Sequence, residues 1–450
     1  MLADLSHRLA GRGAVDQIRR RAAERSGYNA SRPMSDTISR RSFFAGSAAA
    51  AVTAHKLGAA PAPPRVIGAN DRLRVGVIGA GGNATGHMRA LLSLAEQDNV
   101  EIVAVCDLYD KRREAAAELT GGTPYKDYRK LLEHKGLDYV TISVPEHWHA
   151  QCTLDAIDQG YHIYVEKPLT RTIAEGVKVR KRVKEAGIKL QCGVQGLSDN
   201  SYETAAQYID EGAIGRPVLA QIDYSRNHVE DFWTRPIDPD AKPGVNLDWK
   251  TFLGSTPQRD WDPDRFFAWR RYWDYSGGIA TDLFVHRLTR ILRACRLTGP
   301  SRVVATGGKH FWSDSPAEIP DTFNAMLEYP LPGGGEMSVL LISTMANERK
   351  VQHLIRGHKA TLEFTSEGFE ITPEKLFADQ VKPASHAKGG AESVALHHHN
   401  LHNAIRHGAD LKCDVDMGFY GALGCHMAVE SYRTRKYLAW DEKTEKVVEA

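Results

Sequence analysis

Three polar side chains have types and positions suited to proton transfer. Asp282 and His286 lie four residues apart in a run, Gly278 to Cys295, that the pattern predicts to be helical; they would therefore share one helix face. A carboxylate that orients an imidazole gives a base able to take a proton from a hydroxyl group near neutral pH. Lys167 follows a predicted strand and precedes Pro168. Its ammonium is suited to stabilising negative charge that develops on a substrate oxygen.

A glycine-rich turn between a predicted strand and a predicted helix indicates a nucleotide site. The strand Arg74 to Ile78 is followed by small residues at positions 79, 81 and 84, the G-x-G-x-x-G/A pattern. The free N–H groups of the helix that follows would face a pyrophosphate. A second strand, Glu101 to Cys106, ends in Asp107, whose carboxylate favours the ribose of NAD and repels the 2′-phosphate of NADP. Lys111 and Arg112 are the alternative contacts to such a phosphate, and we expect NAD rather than NADP.

Helices and strands alternate with short connections up to about residue 194, which predicts a doubly wound parallel sheet. Ligands of such sheets bind beyond the carboxyl ends of the strands. The residues expected at those ends, and therefore around one crevice, are the predicted cofactor-binding residues Gly79, Ala80, Gly81, Gly82, Asn83, Asp107, Pro145, His149, Glu166, Lys167 and Gln195.

From Pro217 onward the pattern changes to strands separated by turn residues, which predicts a second sheet. The segment Ser225 to Tyr275 is long, irregular and rich in aromatic residues, and long loops often carry function. Loop packing and subunit contact are the alternative explanation of these aromatics. Within this segment Arg270, Arg271 and Tyr272 are the predicted substrate contacts, because they lead directly into Asp282 and His286.

Three motifs together resemble the Gfo/Idh/MocA oxidoreductases, which include the glucose–fructose oxidoreductase and inositol dehydrogenase types. They are the fingerprint at 79–84, Glu166-Lys167-Pro168 at a strand end, and Gly277-Gly278-x-x-x-Asp282-x-x-x-His286. The resemblance implies an N-terminal Rossmann domain and a C-terminal α+β domain with a large, open, mostly antiparallel sheet. It implies that this sheet forms a homodimer or homotetramer interface. It also matches Lys167, Asp282 and His286 to the functional polar positions of the family.

The resemblance implies hydride transfer from a hydroxyl group of a sugar, sugar derivative or cyclitol to NAD. In this scheme His286 takes the hydroxyl proton, Lys167 steadies the alkoxide and Asp282 orients the imidazole; a lysine acting as the proton acceptor is the alternative. A related branch uses transient sugar oxidation for glycosidase or lyase chemistry, but that branch lacks the lysine of Glu-Lys-Pro. A non-enzymatic, NAD-bound sugar sensor is the third hypothesis.

The amino end is predicted to be a twin-arginine export leader. Ser39-Arg40-Arg41-Ser42-Phe43-Phe44 precedes a mildly apolar run and a small-residue region with a plausible cleavage site near Ala60 or Ala62. The sequence therefore predicts an interaction with the twin-arginine machinery and a periplasmic protein, anchored if the leader is retained. Translation from Met34 instead of Met1 would give a leader of ordinary length. An exported folded protein would carry its NAD tightly bound, because free NAD is scarce outside the cytoplasm.

Composition excludes some classes of function. The 450 residues have a formal net charge of +2, and no basic stripe or RNA-binding signature indicates nucleic acid. Six widely spaced cysteines, without a CxxC pair, read as buried thiols. His397, His398, His399, His402 and His407 lack the acidic or thiol ligands that would complete a metal site, so we expect no metal there and a helix that faces solvent or the substrate rim.

These patterns divide the chain into four parts. Residues 1–62 form the leader and a disordered segment, 63–196 the NAD-binding Rossmann domain and 197–415 the substrate and oligomerisation domain, while 416–450 form a C-terminal helix and tail that pack back on the body.

Overall fold

In a computed structural model, the first sheet is central to the nucleotide end of the molecule, and it is parallel throughout. The structure describes residues 71–450; the predicted leader, residues 1–62, lies outside them. The strand order is β3-β2-β1-β4-β5-β6. The strands are β1 (Leu73–Ile78), β2 (Val100–Cys106), β3 (Thr123–Tyr125), β4 (Tyr139–Ile142), β5 (His162–Glu166) and β6 (Leu190–Gly193).

Helices cover both faces of this sheet, so its central strands read as near-continuous apolar runs. In β1, for instance, five of the six residues are buried, and only Arg74 is exposed. The helices of this part are α1 (Gly82–Ser93), α2 (Asp110–Thr120), α3 (Tyr128–Leu132), α4 (Glu146–Asp158) and α5 (Ile173–Ala186). A capping box between Thr172 and Glu175 starts α5. The predicted doubly wound parallel sheet is confirmed.

The second sheet has ten strands, in the order β14-β13-β12-β11-β7-β10-β9-β8-β15-β16. Its pairs are antiparallel except for β7 with β10, which is parallel. The predicted large, mostly antiparallel sheet is thus confirmed. Its strands are β7 (Pro217–Asp223), β8 (Arg302–Gly308), β9 (Thr322–Pro330), β10 (Glu336–Thr344), β11 (Leu354–Gly357), β12 (Ala360–Thr365), β13 (Gly368–Pro373), β14 (Ala384–Ala387), β15 (Leu438–Asp441) and β16 (Lys446–Glu449).

The helices of the second part are α6 (Ser201–Asp210), α7 (Trp249–Leu253), α8 (Pro263–Phe267), α9 (Val285–Cys295), α10 (Val394–His407) and α11 (Val415–Thr434). Of these, α6, α9 and α11 pack on one face of the second sheet, and β9 and β10 accordingly alternate buried and outward residues. Helix α10 instead packs against α1 and the first sheet. The last strands of the chain belong to the second sheet, because β15 pairs with β8 and β16 pairs with β15.

A π-helical turn, Ala280–Phe284, leads directly into α9. The predicted single helix from Gly278 to Cys295 is therefore a wider turn followed by an α-helix, and Asp282 lies on the wider turn. Insertions of this kind are frequent at functional sites. None of the helices in residues 71–450 is long and apolar enough to cross a membrane.

Candidate active site

The turn after β1 is shaped for close approach of a ligand. Gly79 has φ +89°, and a Cβ there would lie 2.6 Å from the carbonyl oxygen of Ser143, so only glycine fits. At Gly82 a Cβ would meet nothing within 4 Å. No side chain caps α1, which begins at Gly82. The N–H groups of its first turn are therefore available to an anion.

Asp107 lies beside this turn, at the end of β2. Its Oδ2 accepts a hydrogen bond of 2.8 Å from the N–H of Ala80, and its Oδ1 accepts one of 2.9 Å from the N–H of Tyr109. The carboxylate is thus fixed where the ribose of a dinucleotide would lie. Of the two cations considered for a 2′-phosphate, Lys111 is occupied by an ion pair of 2.7 Å with Asp238. Arg112 stacks at 5.1 Å over the ring of Phe266.

Lys167 and Asp282 form the central ion pair of the site. Lys167 Nζ donates to Asp282 Oδ1 at 2.6 Å and to the Asp282 carbonyl oxygen at 2.9 Å. Arg270 Nε donates to the same carboxylate oxygen at 2.9 Å. Burial opposes ionisation of Asp282, but these two cations hold the pKa of its carboxyl group well below the usual value. The three side chains therefore form one charged unit.

His286 is the base candidate next to this unit. Burial, together with the nearby Lys167 ammonium, lowers the pKa of His286 well below the usual value for an imidazole. The ring is consequently neutral near pH 7 and able to accept a proton. Its Nδ1 is buried and has no hydrogen-bond partner in residues 71–450.

The predicted orientation of His286 by Asp282 is wrong. The Asp282 carboxylate bonds to Lys167 and Arg270, and two cations compete for it more strongly than a neutral imidazole does. The spacing of four residues places both side chains near one helix face. It could not reveal the partners of Asp282, because Lys167 follows β5 and Arg270 lies before the π-helical turn.

Glu166 and His149 hold the strand ends around the site. Glu166 Oε1 lies 2.9 Å from Nε2 of His87, a residue of α1. Burial raises the pKa of Glu166, but the hydrogen bond and charge of His87 lower that pKa to about 2. The Glu166 carboxylate is therefore ionised. The ring nitrogens of His149 lie 2.7 Å from the carbonyl oxygen of Pro168 and 2.9 Å from that of Val144. His149 therefore lies between the ends of β4 and β5. Because burial lowers the pKa of His149, its ring is neutral and donates a hydrogen bond to only one of the two oxygens.

A cavity of about 690 Å³ joins the glycine turn to the charged unit. Of the predicted site residues it is lined by Gly79, Gly81, Gly82, Asn83, Asp107, Pro145, His149, Glu166, Lys167, Gln195, Arg270, Asp282 and His286. Ala80 is a predicted residue that lies just outside; its side chain is buried, and its N–H holds Asp107.

Two predicted substrate contacts are placed elsewhere by the structure. Arg271 is 2% exposed and pairs with Asp231 and Asp264, and the Tyr272 hydroxyl donates to Asp264. Both side chains thus fasten the long segment to itself and do not reach the cavity. The prediction failed because residues adjacent on a short 3-10 turn point in different directions, so only Arg270 faces Asp282.

Glu146 is a functional candidate that sequence reasoning missed. Its carboxylate is 1% exposed and accepts hydrogen bonds from Ser276 Oγ at 2.7 Å, from the Gly277 N–H at 3.1 Å and from Thr281 Oγ1 at 3.0 Å. It therefore anchors the turn that carries Asp282. An acid between Pro145 and His147, directly after a buried strand, was the available signal.

The histidine-rich helix is buried, contrary to expectation. In α10, His397 and His398 are fully buried and His402 is 1% exposed. His398 Nε2 lies 2.9 Å from Nδ1 of His87, and His402 Nδ1 lies 2.6 Å from Asp98. Within residues 71–450 no group of three or more histidine, cysteine or acidic side chains is arranged to hold a metal ion. All six cysteines are free and buried.

Two family models match the chain. The one described as "Oxidoreductase family, NAD-binding Rossmann fold" covers residues 73–194, and the one described as "Oxidoreductase family, C-terminal alpha/beta domain" covers residues 206–439. Together they cover the first sheet, the second sheet except β16 and the end of β15, and every side chain of the charged unit.

Three curated relatives each match about a third of the chain or less. Inositol 2-dehydrogenase of Salmonella typhimurium is 30% identical over 150 residues, 33% of this chain and 44% of that protein. scyllo-Inositol 2-dehydrogenase (NAD(+)) of Bacillus subtilis is 32% identical over 148 residues, 33% of this chain and 43% of that protein. A glycosyl hydrolase family 109 protein of Shewanella pealeana is 34% identical over 115 residues, 23% of this chain and 25% of that protein. The chain thus spans less than half the length of these relatives.

Solved structures share the fold over a longer span. Levoglucosan dehydrogenase in complex with NADH and levoglucosan has a TM-score of 0.62 at 19% identity, covering 82% of this chain and 99% of that chain. The WlbA dehydrogenase of Bordetella pertussis in complex with NADH and UDP-GlcNAcA has a TM-score of 0.60 at 19% identity, with the same coverage.

Proposed function

The chain belongs to the Gfo/Idh/MocA family of oxidoreductases, and we propose that it oxidises a hydroxyl group of a sugar, a sugar derivative or a cyclitol with NAD as hydride acceptor. The observation that carries the proposal is the ion pair of 2.6 Å between Lys167 and Asp282, in the same cavity as His286 and the glycine turn. A nucleotide-binding protein without redox chemistry has no use for that charged unit.

The residues around the glycine turn fit NAD. The uncapped start of α1 and the open space at Gly82 suit a pyrophosphate. The Asp107 carboxylate suits a ribose diol and disfavours a 2′-phosphate. When bound, NAD supplies a nicotinamide ring that accepts hydride from the substrate carbon.

The protein side chains divide the proton chemistry between them. Lys167 is held as an ammonium by Asp282, so it can donate a hydrogen bond to the substrate oxygen and stabilise the charge that develops there. His286 is neutral and takes the hydroxyl proton as the C–H bond breaks. Because Lys167 is already paired as a cation, His286 is the better proton acceptor of the two.

We propose that the nucleotide is tightly retained, and the long segment supports this. Residues 231–267 cover the crevice: Trp233, Arg235, Phe266 and Phe267 line it from this segment. Asp238 accepts hydrogen bonds from the Tyr109 hydroxyl at 3.0 Å and from Lys111 Nζ at 2.7 Å. The cover is therefore fastened to the loop that follows β2, beside the predicted ribose site.

Export by the twin-arginine route to the periplasm, with or without a retained leader anchor, is part of the same proposal. It rests on the Arg40-Arg41 leader pattern and on the retained nucleotide, since that route carries folded proteins. A homodimer or homotetramer is also proposed. Val304 and Met326 pair across β8 and β9 on the outer face of the second sheet and are 42% and 43% exposed, an apolar row suited to a subunit contact.

A second candidate is a glycosidase or lyase that oxidises its sugar only transiently. The similarity to a glycosyl hydrolase family 109 protein favours it, whereas the retained Lys167 favours net oxidation. A non-enzymatic NAD-bound sugar sensor is the remaining alternative.

The test starts from the full chain, purified without added nucleotide and denatured. Mass measurement of the released nucleotide should identify NAD; release of none would contradict tight retention. The native protein is then mixed with sugars, cyclitols and glycosides, and the absorbance of reduced nicotinamide is followed. A lasting signal with an oxidised product supports the dehydrogenase, and cleaved glycoside with only a transient signal supports the second candidate. Silence with every compound supports the sensor.

A further inference from the structure

Two guanidinium groups lie against one tyrosine ring at the substrate end of the cavity. The Arg226 guanidinium carbon is 5.4 Å from the ring centroid of Tyr224, and that of Arg287 is 5.1 Å from the same centroid. The Tyr224 ring in turn lies 6.2 Å from the ring of His286, centroid to centroid. Arg226 lines the cavity itself. The two cations are thus next to the proposed base.

Neither cation has an acid at ion-pair distance in the described residues, although the Glu392 carboxylate attracts Arg287 from farther away. In the described part of the chain neither Arg226 nor Arg287 forms an ion pair, and Nε of Arg287 is buried without a hydrogen-bond partner. Arg235, which also lines the cavity, makes no ion pair in residues 71–450 either; its guanidinium donates to the carbonyl oxygen of Thr234. Two other arginines nearby are paired. Arg270 binds Asp282 at 2.9 Å, and Arg290 binds Glu392 at 2.7 Å.

The nearby acids are already occupied. Glu392 is taken by Arg290. The Asp223 carboxylate accepts hydrogen bonds from the backbone N–H groups of Ser225 and Val351. Two neighbouring cations without a counter-charge repel each other, and an added anion would relieve this repulsion. Arginine also offers a planar fork of donors that matches a carboxylate or phosphate.

The nucleotide does not supply this anion. Its pyrophosphate would bind at the start of α1, where the guanidinium of Arg112 lies 3.9 Å from the position of a Cβ on Gly81. Arg226 and Arg287 instead share the Tyr224 ring beside His286, at the end where a hydroxyl group would be oxidised.

We propose that the substrate is an anionic sugar, and that Arg226, with Arg287 behind it, binds the carboxylate or phosphate group of that sugar. The inference rests on the proposed dehydrogenase function and narrows its substrate class. A neutral sugar or cyclitol would leave both guanidinium groups uncompensated, so it should be the poorer substrate.

The experiment compares sugars that differ at one position. Each neutral hexose is paired with its uronate and with its 6-phosphate. The apparent second-order rate constant, kcat/KM, is measured on the holoprotein in a single turnover, as the rate at which the bound nicotinamide is reduced. We expect one anionic form to exceed its neutral partner at least about tenfold, since a hydrogen bond to a charged group contributes that much. Comparison of kcat/KM for the uronate and for the 6-phosphate shows which anionic group the site binds. Added salt should reduce the preference.

Substitution of Arg226 locates the effect. Arg226→Gln should lower the ratio of anionic to neutral kcat/KM about tenfold, and Arg226→Lys should retain part of it. Lys375→Gln removes a charge at an exposed site on another part of the surface and should leave the ratio as it was.

Two results would overturn the inference while leaving the dehydrogenase intact. One is equal use of neutral and anionic sugars by the wild-type protein. The other is an anionic preference that Arg226→Gln does not change. Absence of nicotinamide reduction with every compound is a different outcome, because it contradicts the proposed function itself.

Discussion

Lys167 and His286 reach the cavity from different parts of the fold, one from the end of β5 and the other from α9. Asp282 connects them indirectly, since it fixes the ammonium and is carried on the turn that leads into α9. A carboxylate that holds a cation in place keeps the hydrogen-bond donor preorganised for the charge of the transition state. The site therefore depends on the ion pair more than on any orientation of the imidazole.

Replacement of Lys167 by methionine tests this role. We expect kcat to fall about 10²- to 10³-fold, the usual cost of removing one donor to a developing oxyanion, with the nucleotide still bound. The measurement is kcat on protein whose NAD content has been determined. Lys130→Met, at an exposed residue paired with Glu133, is the control. Unchanged turnover in Lys167→Met would remove Lys167 from the mechanism.

Residue types and spacing selected Lys167, Asp282 and His286 and most of the predicted nucleotide-binding residues, and the structure places them around one cavity. Types and spacing were not enough to pair them, because Lys167 and Asp282 are 115 residues apart in the chain. The same limit explains Arg271, whose partners Asp231 and Asp264 lie within the long segment. Local sequence indicates which residues are candidates for the site, but their hydrogen-bond partners depend on tertiary contacts.

At the scale of elements, the turn from Ser276 to Thr281 must be rigid, because its position determines the position of Asp282. It precedes Asp282, and Glu146 at the start of α4 binds it through three different donors. A buried carboxylate with every oxygen satisfied is a rigid anchor. Glu146 is therefore a positioning residue that acts on Asp282 without facing the substrate.

Glu146→Gln should disturb this anchor while preserving its shape. An amide supplies one acceptor oxygen where the carboxylate has two, so at least one hydrogen bond to the turn is lost. We expect kcat to fall about tenfold with KM and bound NAD little changed, which kinetics and released nucleotide would show. Glu133→Gln at a surface ion pair is the matched control. A thermal midpoint that falls with no change in kcat would contradict the positioning role.

The cover over the crevice is a second element with a checkable role. Asp238 fastens it to Tyr109 and Lys111, and backbone hydrogen bonds join Asp110 to Asn246 and Asp248 to Leu108. Opening the cover requires these contacts to break, so nucleotide release should be slow.

Asp238→Ala removes both side-chain contacts of the cover. We expect the rate of NAD release to rise by up to about tenfold, because the cover loses two solvent-exposed hydrogen bonds, one of them charged. Exchange of bound NAD for a labelled nucleotide measures this rate. Asp240→Ala removes a more exposed acid 3.7 Å from Lys111 and should have a smaller effect. Equal release rates in the two variants would exclude Asp238 as the fastening residue.

Element types were predictable where periodicity was strong. The alternation up to residue 194 and the strands between β7 and β12 were recovered because each has a clear apolar pattern. Strands β13 to β16 were missed. Strands β14, β15 and β16 have only four residues each, and β14 and β16 are mostly exposed at the two edges of the sheet. Helix α10 was predicted, but its burial was not. Histidines read as polar, yet they can be buried when their ring nitrogens find partners such as Asp98 and His87.

At the scale of the whole fold, several histidines within residues 71–450 have pKa values that burial lowers. Burial lowers the pKa of His147, His397 and His426 to about 4. Burial is also the largest cause of the lowered pKa of five further histidines, His149, His286, His353, His398 and His402. These rings come from both sheet regions, so their titration affects the stability of the entire fold.

The sign of the resulting pH dependence follows from proton uptake. In the unfolded chain an imidazole has a pKa of about 6.5, whereas these rings stay neutral in the native state at that pH. As the pH falls below about 6.5, the unfolded chain binds protons that the native protein does not, and the free energy of unfolding decreases. Each ring contributes up to about 1.4 kcal/mol per pH unit, down to about pH 4 for the three rings with that native pKa.

We therefore expect the thermal midpoint to fall steeply between about pH 6.5 and pH 4.5, above the range in which ordinary carboxylates titrate. His426→Gln tests one contribution, because glutamine keeps a polar group opposite the Thr170 carbonyl oxygen, 2.9 Å from His426 Nε2, and has no titrating ring. Its midpoint should depend less on pH than that of the wild type, while His407→Gln, at an exposed residue, should follow the wild type more closely. The measurement is the unfolding midpoint at several pH values with NAD in constant excess. A midpoint that stays level through this range would mean that the buried rings acquire protons in the folded protein.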